Sequence, residues 1–238
     1  IDPLNPNSTP KKHTALGRFK HENAELVISK DGKIIVYMGD DERGEYLYKY
    51  VSNESINEVK DKSTLLSNGN LYVAKFNDNF TGEWLLLDTQ TTGLSSKAEV
   101  CIFTRLAASK VGATTMDRPE WIASNPKKNE VCCCLTNNKN RGIKTNKGGD
   151  KVDVDKVNPR KNNKYGQIVR WKPRDNNHSS IFFEWDLFVV AGNPNVHDDK
   201  NRGSKNIDKE NMFNSPDGLK FDKYGRLWIQ TDGNYSNS

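Results

Sequence analysis

Short β-rich runs, each closed by a turn signal, set the first bound on this chain. Residues 25–28 and 33–38 flank Ser29-Lys30-Asp31-Gly32, where Asp-Gly supports the left-handed backbone of a tight hairpin. Residues 45–51, 71–76 and 83–87 continue the pattern, the last two around Asn77-Asp78-Asn79. Residues 131–135, 165–171 and 181–191 extend it, with Gln167, Val169 and Trp171 on one strand face. Two last strands surround Asp222-Lys223-Tyr224-Gly225. One helix interrupts the series: Ser95 or Ser96 caps a run with Val100, Phe103, Leu106 and Ala107 on one face, and Gly112 follows its end. Short strands at this spacing build a sandwich, a barrel or a propeller. The class is all-β.

Only 34% of the 238 residues are hydrophobic, so a modest core with long loops is expected. No apolar run approaches the ~20 residues of a membrane helix. The chain starts at Ile1 without a signal-peptide pattern, which suggests a removed leader or a piece of something longer. Residues 1–12 hold three prolines and read as a loop. Cys101, Cys132, Cys133 and Cys134 are too few and too bunched for a disulfide framework, and three consecutive cysteines alternate strand faces, so they cannot share one metal. They read as small apolar residues. Residues 127–174 carry 14 Lys or Arg against 4 Asp or Glu. That excess would suit nucleic acid, but residues 137–163 lack interleaved aromatics for base stacking. A solvated, flexible insertion at about 139–157, without a role in chemistry, is expected instead.

The densest polar cluster is Thr115-Met116-Asp117-Arg118-Pro119-Glu120-Trp121. Pro119 biases Arg118 toward extended backbone, which would put the Arg118 and Glu120 side chains on one side. A guanidinium forks onto phosphate oxygens and a carboxylate takes a hard cation, so the pair could hold a phosphate beside a metal. A surface salt bridge is the competing reading.

The closing stretch "SPDGLKFDKYGRLWIQTDG" resembles the inner hairpin of a β-propeller blade. At roughly 40–50 residues per blade the chain would supply about four or five blades, an incomplete propeller over residues 13–238. In order along the chain come "GRFKHENA", "VYMGDDERGEYLYKYVS", "TTMDRPEW", "LTNN", "NPR", "YGQIVRW", "FEWDLFVVAGNP" and "SPDGLKFDKYGRLWIQTDGN". Together they resemble the PhoX-type alkaline phosphatases, exported bacterial enzymes on a β-propeller.

The resemblance implies a phosphomonoesterase that uses calcium together with iron. On matching positions it implies Glu22, Glu120 and Asp217 as metal ligands, Asp232 as a further one, and Arg118 as the phosphate-binding arginine. His21 could orient a ligand from behind. Asp40-Asp41-Glu42-Arg43 is read as a local ion-pair network outside the site. The family's iron-binding cysteine lies in a segment upstream of the matching region, so no cysteine role is carried over, and the chain alone is expected to be inactive. The substrates implied are small phosphomonoesters, the location periplasmic or extracellular, and the complete protein a monomer. A calcium-dependent lactonase-like propeller or a non-enzymatic interaction propeller are the alternatives; a lactone offers no dianion for Arg118.

Overall fold

Turn chemistry reverses this chain at short intervals, and side-chain alternation decides what each strand buries. The computed structural model describes residues 3–235. Strands β1 (His21–Ile28), β2 (Lys33–Asp40), β3 (Leu47–Ser55), β4 (Gly69–Phe76) and β5 (Thr81–Leu87) form an antiparallel meander. Helices α1 (Thr89–Thr92), α2 (Lys97–Ile102) and α3 (Thr104–Lys110) follow. A second meander comprises β6 (Pro119–Ser124), β7 (Val131–Leu135), β8 (Gln167–Pro173) and β9 (Phe182–Val190), and β9 pairs with β5. The nine strands make one sheet in the order β1-β2-β3-β4-β5-β9-β8-β7-β6, while β10 (Pro216–Phe221) and β11 (Leu227–Thr231) form a separate hairpin. The fold is all-β and propeller-like, and the long sheet is nearly closed on itself.

Its two edge strands, β1 and β6, meet without a backbone ladder. Asn23 stands in for one: its amide nitrogen donates to the Ile122 carbonyl at 2.9 Å, and its amide oxygen accepts the Ile122 N–H at 3.0 Å. Glu25 accepts the Ser124 N–H at 2.8 Å. Gly39 makes room, because a Cβ there would lie 2.3 Å from the Pro119 carbonyl oxygen.

Closure creates an inner core that draws on both meanders, with Ile35, Tyr37, Trp84, Ile122, Cys133, Val169 and Trp171 at its centre. Tyr37, Trp84 and Trp171 pack with ring centroids 5.3–6.1 Å apart. On the outside, Val36, Met38, Tyr48 and Val73 pack under α2 and α3 through Val100, Ala107 and Ala108. The β10–β11 hairpin covers the other half, laying Leu219 and Phe221 on Cys132, Cys134 and Ile168. Strands β2 and β7 are therefore buried on both faces, which is why they read as continuous apolar runs.

Two expectations are corrected. The helix expected between Ser96 and Gly112 is two short ones, α2 and α3, and α1 precedes it. Ser96 does cap α2, accepting the Glu99 N–H at 3.1 Å, but Phe103 leaves the helical region at φ −104°, ψ 45° and splits the run. Phe103 and Leu106 consequently stay about half exposed while Val100 and Ala107 are buried. The polar segment is not a solvated excursion either. Arg141, Asn138, Asn158 and Asn163 are fully buried, and Arg160 nearly so. These groups find hydrogen-bond partners inside the fold, so burial proceeds without apolar side chains. Arg141 and Arg160 are thus unavailable to nucleic acid. No helix among the described residues is long and apolar enough to cross a membrane.

Cys132, Cys133 and Cys134 are fully buried, with burial pushing each thiol up, whereas Cys101 is partly exposed. In the native chain an aromatic disulfide reagent should label Cys101 alone, and the other three only after denaturation; fast native labelling of a second thiol would contradict this packing.

Lys49 is fully buried, its Nζ donating to the Ser180 carbonyl at 2.7 Å, and burial pushes its pKa down to about 7 from 10.5. Between those values the unfolded chain holds the proton that the folded chain has lost, so this group adds stability as pH rises. Lys49→Met removes the buried amine. The stability advantage of the variant over wild type should shrink by about 3 kcal/mol from pH ~7 to pH ~10, read from denaturant midpoints.

Candidate metal and phosphate site

Three strands deliver one carboxylate each from the same relative position. Glu22, Glu120 and Asp217 are the second residues of β1, β6 and β10. In each strand the register shifts right there: between His21 and Ala24, between Pro119 and Ile122, and between Pro216 and Leu219. A bulge re-aims the side chain that sits in it. Here three bulges turn three carboxylates toward one point, with ligand oxygens all within 4.8 Å of one another.

The electrostatics match that crowding. Glu120 is 2% exposed, and burial together with Asp41 and Asp217 raises its pKa. Burial, Asp41 and Asp217 raise Glu22, and burial, Asp232 and Asp41 raise Asp217, with Arg118 opposing in both cases. One guanidinium faces four carboxylates. An oxygen-only set with this excess of negative charge fits a hard cation.

Arg118 reaches the cluster by an unexpected backbone route. Instead of the extended conformation it takes φ +55°, a left-handed geometry that is strained for an arginine before a proline. Its Nε lies 2.8 Å from Asp41 Oδ1 and its Nη2 3.1 Å from Glu120 Oε1. Nη1 donates to Asn137 Oδ1 at 3.4 Å, and the Asn137 amide donates to Ser215 Oγ, also at 3.4 Å. Ser215, next to the third bulge, is left-handed too at φ +49°.

Asp41 belongs with this group, which corrects its assignment to a local ion-pair network. Its neighbours do form such a network: Asp40 takes Arg105 through two 2.7 Å bonds, and Glu42 takes Lys20 at 2.9 Å and Lys147 at 2.7 Å. Asp41 points the other way. Asp232 stands exposed just beyond β11, its N–H bonded to the Ser215 carbonyl at 3.0 Å, near enough to perturb Asp217 but outside the three-carboxylate group. His21 turns away from the cluster. Its ring stacks on Phe19 at 3.7 Å and its Nε2 meets the Gly17 carbonyl at 3.0 Å. Among the described residues, no cysteine joins the carboxylate group.

The alkaline phosphatase PhoX family matches this chain over residues 1–238. The chain belongs to the PhoX alkaline phosphatase family. No curated protein matches it. Among solved structures it is similar to "Pseudomonas fluorescens PhoX in complex with vanadate, a transition state analogue", at 52% identity and a TM-score of 0.91. The match covers 100% of this chain and 43% of that PhoX chain, so this chain spans less than half the length of its structural relative.

Mutual repulsion among the carboxylates makes the metal-free cluster a local source of instability. Asp217→Asn should raise stability without added cations and diminish any upward shift in melting temperature that an added divalent cation produces. Melting curves with and without calcium check both halves.

Proposed function

We propose that this chain carries the phosphate-gripping arginine and part of the metal site of a PhoX phosphomonoesterase, which releases inorganic phosphate from small organic phosphate esters. The observation that carries the reading is the juxtaposition of Arg118 with three carboxylates whose oxygens lie within 4.8 Å of one another. The vanadate complex of the Pseudomonas fluorescens PhoX supports the same reaction class. In this reading Glu22, Glu120 and Asp217 hold calcium, Asp41 and Asp232 contribute charge nearby, and iron joins the site through ligands beyond these residues. Hard cations, when bound, neutralise phosphoryl oxygens and make a coordinated oxygen a stronger nucleophile.

The chain's own residues supply recognition. Arg118 presents a planar fork that grips two phosphoryl oxygens, and it stabilises the charge that grows on them during transfer. Asp41 and Glu120 keep the fork oriented before substrate arrives, at 2.8 and 3.1 Å. Buried Glu120 anchors the cluster from below, while the exposure of Glu22 leaves the upper side open to substrate. The dianion preference of a guanidinium favours phosphate esters over lactones. Activity in the periplasm or outside the cell completes the proposal.

In the enzyme expressed from its full reading frame, chelation should abolish phosphomonoester hydrolysis and calcium should restore it. Arg118→Ala should lower kcat/KM by about two orders of magnitude or more while the melting temperature stays within a few degrees. Activity that survives exhaustive chelation, or an Arg118→Ala variant with wild-type kcat/KM, would overturn the reading.

A further inference from the structure

Arg118 holds a backbone conformation that its own sequence disfavours, so something adjacent has to impose it. A left-handed residue before proline persists only where the surroundings over-determine it. The preceding residue is where those constraints converge. Asp117 is fully buried, and both carboxylate oxygens are committed: Oδ1 accepts Arg141 Nε at 2.7 Å and Asn138 Nδ2 at 2.9 Å, and Oδ2 accepts Asn163 Nδ2 at 2.8 Å. Its backbone forms an isolated bridge with Arg43.

Arg141 spends most of its other donors on the same short stretch. Nη2 donates to the Thr115 carbonyl at 2.8 Å, and Nη1 donates to Thr115 Oγ1 at 3.2 Å and to the Asp153 carbonyl at 2.8 Å. Asn158 donates to the Thr115 carbonyl as well, at 3.0 Å. On the far side of Arg118, its carbonyl accepts the Thr136 N–H at 3.2 Å. The ends of the polar segment are themselves clamped, since Asn138 and Asn163 exchange backbone bonds at 2.7 and 3.0 Å. Arg141 has no exposed surface and none of its bonds go to Glu22, Glu120 or Asp217. It cannot touch substrate. What it fixes is the peptide that launches Arg118.

We propose that Arg141, acting through Asp117 and Thr115, is a positioning residue for Arg118, and that the polar segment of residues 137–163 serves the phosphate site by supplying this clamp. The proposal rests on Arg118 being the phosphate-gripping group. It gives the segment a part in anion binding, although none of its buried arginines meets the anion. Lysine cannot replace Arg141, because a single ammonium lacks the planar fork that spans Asp117 and the Thr115 carbonyl together.

The test is a double-mutant cycle in the enzyme expressed from its full reading frame, with metals saturating. Inhibition by inorganic phosphate and kcat/KM for a chromogenic phosphomonoester are measured for wild type, Arg141→Lys, Arg118→Ala and the double variant. Arg141→Lys should weaken phosphate inhibition by about tenfold and lower kcat/KM to a similar extent, with bound calcium unchanged, and the same change in the Arg118→Ala background should alter either quantity by less than about twofold. Equal losses in both backgrounds would mean that Arg141 supports the fold generally, and the positioning role would fall. If Arg118→Ala itself leaves phosphate inhibition intact, the phosphate-gripping reading fails first and takes the clamp with it. Should Arg141→Lys not fold, Asn163→Ala removes an amide donor from Asp117, together with its bonds to Gln167 and Gly166, and leaves the ion pair with Arg141 in place. It should give a smaller loss with the same dependence on Arg118, and a loss independent of Arg118 would overturn the proposal.

Discussion

Asn23 joins two strands that share no backbone ladder, and the location of every carboxylate in the cluster follows from that seam. Its side chain meets both backbone groups of Ile122, at 2.9 and 3.0 Å, as a neighbouring strand would. Buried backbone groups need partners, and an edge that finds them in a side chain can end a sheet without exposing a template for other chains. With β1 held against β6, Glu22 comes beside Glu120, and the hairpin packed over β7 brings Asp217 to the same point. Gly39 is the steric condition for the approach, since any side chain there would collide with the Pro119 carbonyl.

The site combines unbalanced charge with left-handed backbone. Several acids elsewhere are matched: Asp40 by Arg105, Asp117 by Arg141, Glu42 by two lysines. At the seam, carboxylates outnumber the arginine, and two non-glycine residues, Arg118 and Ser215, take left-handed backbone. Strain and unbalanced charge in one place are affordable because the surrounding core is packed from both meanders, with Tyr37, Trp84 and Trp171 in mutual contact at its centre.

How much of this was legible in the sequence depends on which rule governed each residue. Strands β2 and β7 and the β10–β11 hairpin could be read directly, because apolar runs and Asp-Gly or Tyr-Gly turns report local preference. The first half of β1 and all of β6 were harder. Their bulges break the period of two just where Glu22 and Glu120 lie; Glu120 stood out beside Arg118, but only family resemblance pointed to Glu22. Asp41 was hidden for a different reason. It sits between two acids that really are ion-paired, and which of the three faces the seam depends on how the sheet closes. The polar segment misled by composition: Arg141 and Asn163 are buried through hydrogen bonds, which hydropathy does not register. The helix split at Phe103 left no signal, because Phe103 and Leu106 keep the helical spacing of Val100 and Ala107.

If the cluster holds a cation as proposed, the seam also makes ion occupancy and sheet closure two readings of one equilibrium. In the proposed reading, a cation held by Glu22 and Glu120 would tie together strands that are otherwise joined only by side chains, as a cross-link across the open side of the ring. Ligand that binds only the closed form stabilises it by RT ln(1 + [L]/Kd), about 2.7 kcal/mol at a hundredfold excess over Kd. On that reading, the carboxylates that repel one another in the empty cluster would make the ring's tightness a gauge of the free cation concentration around it.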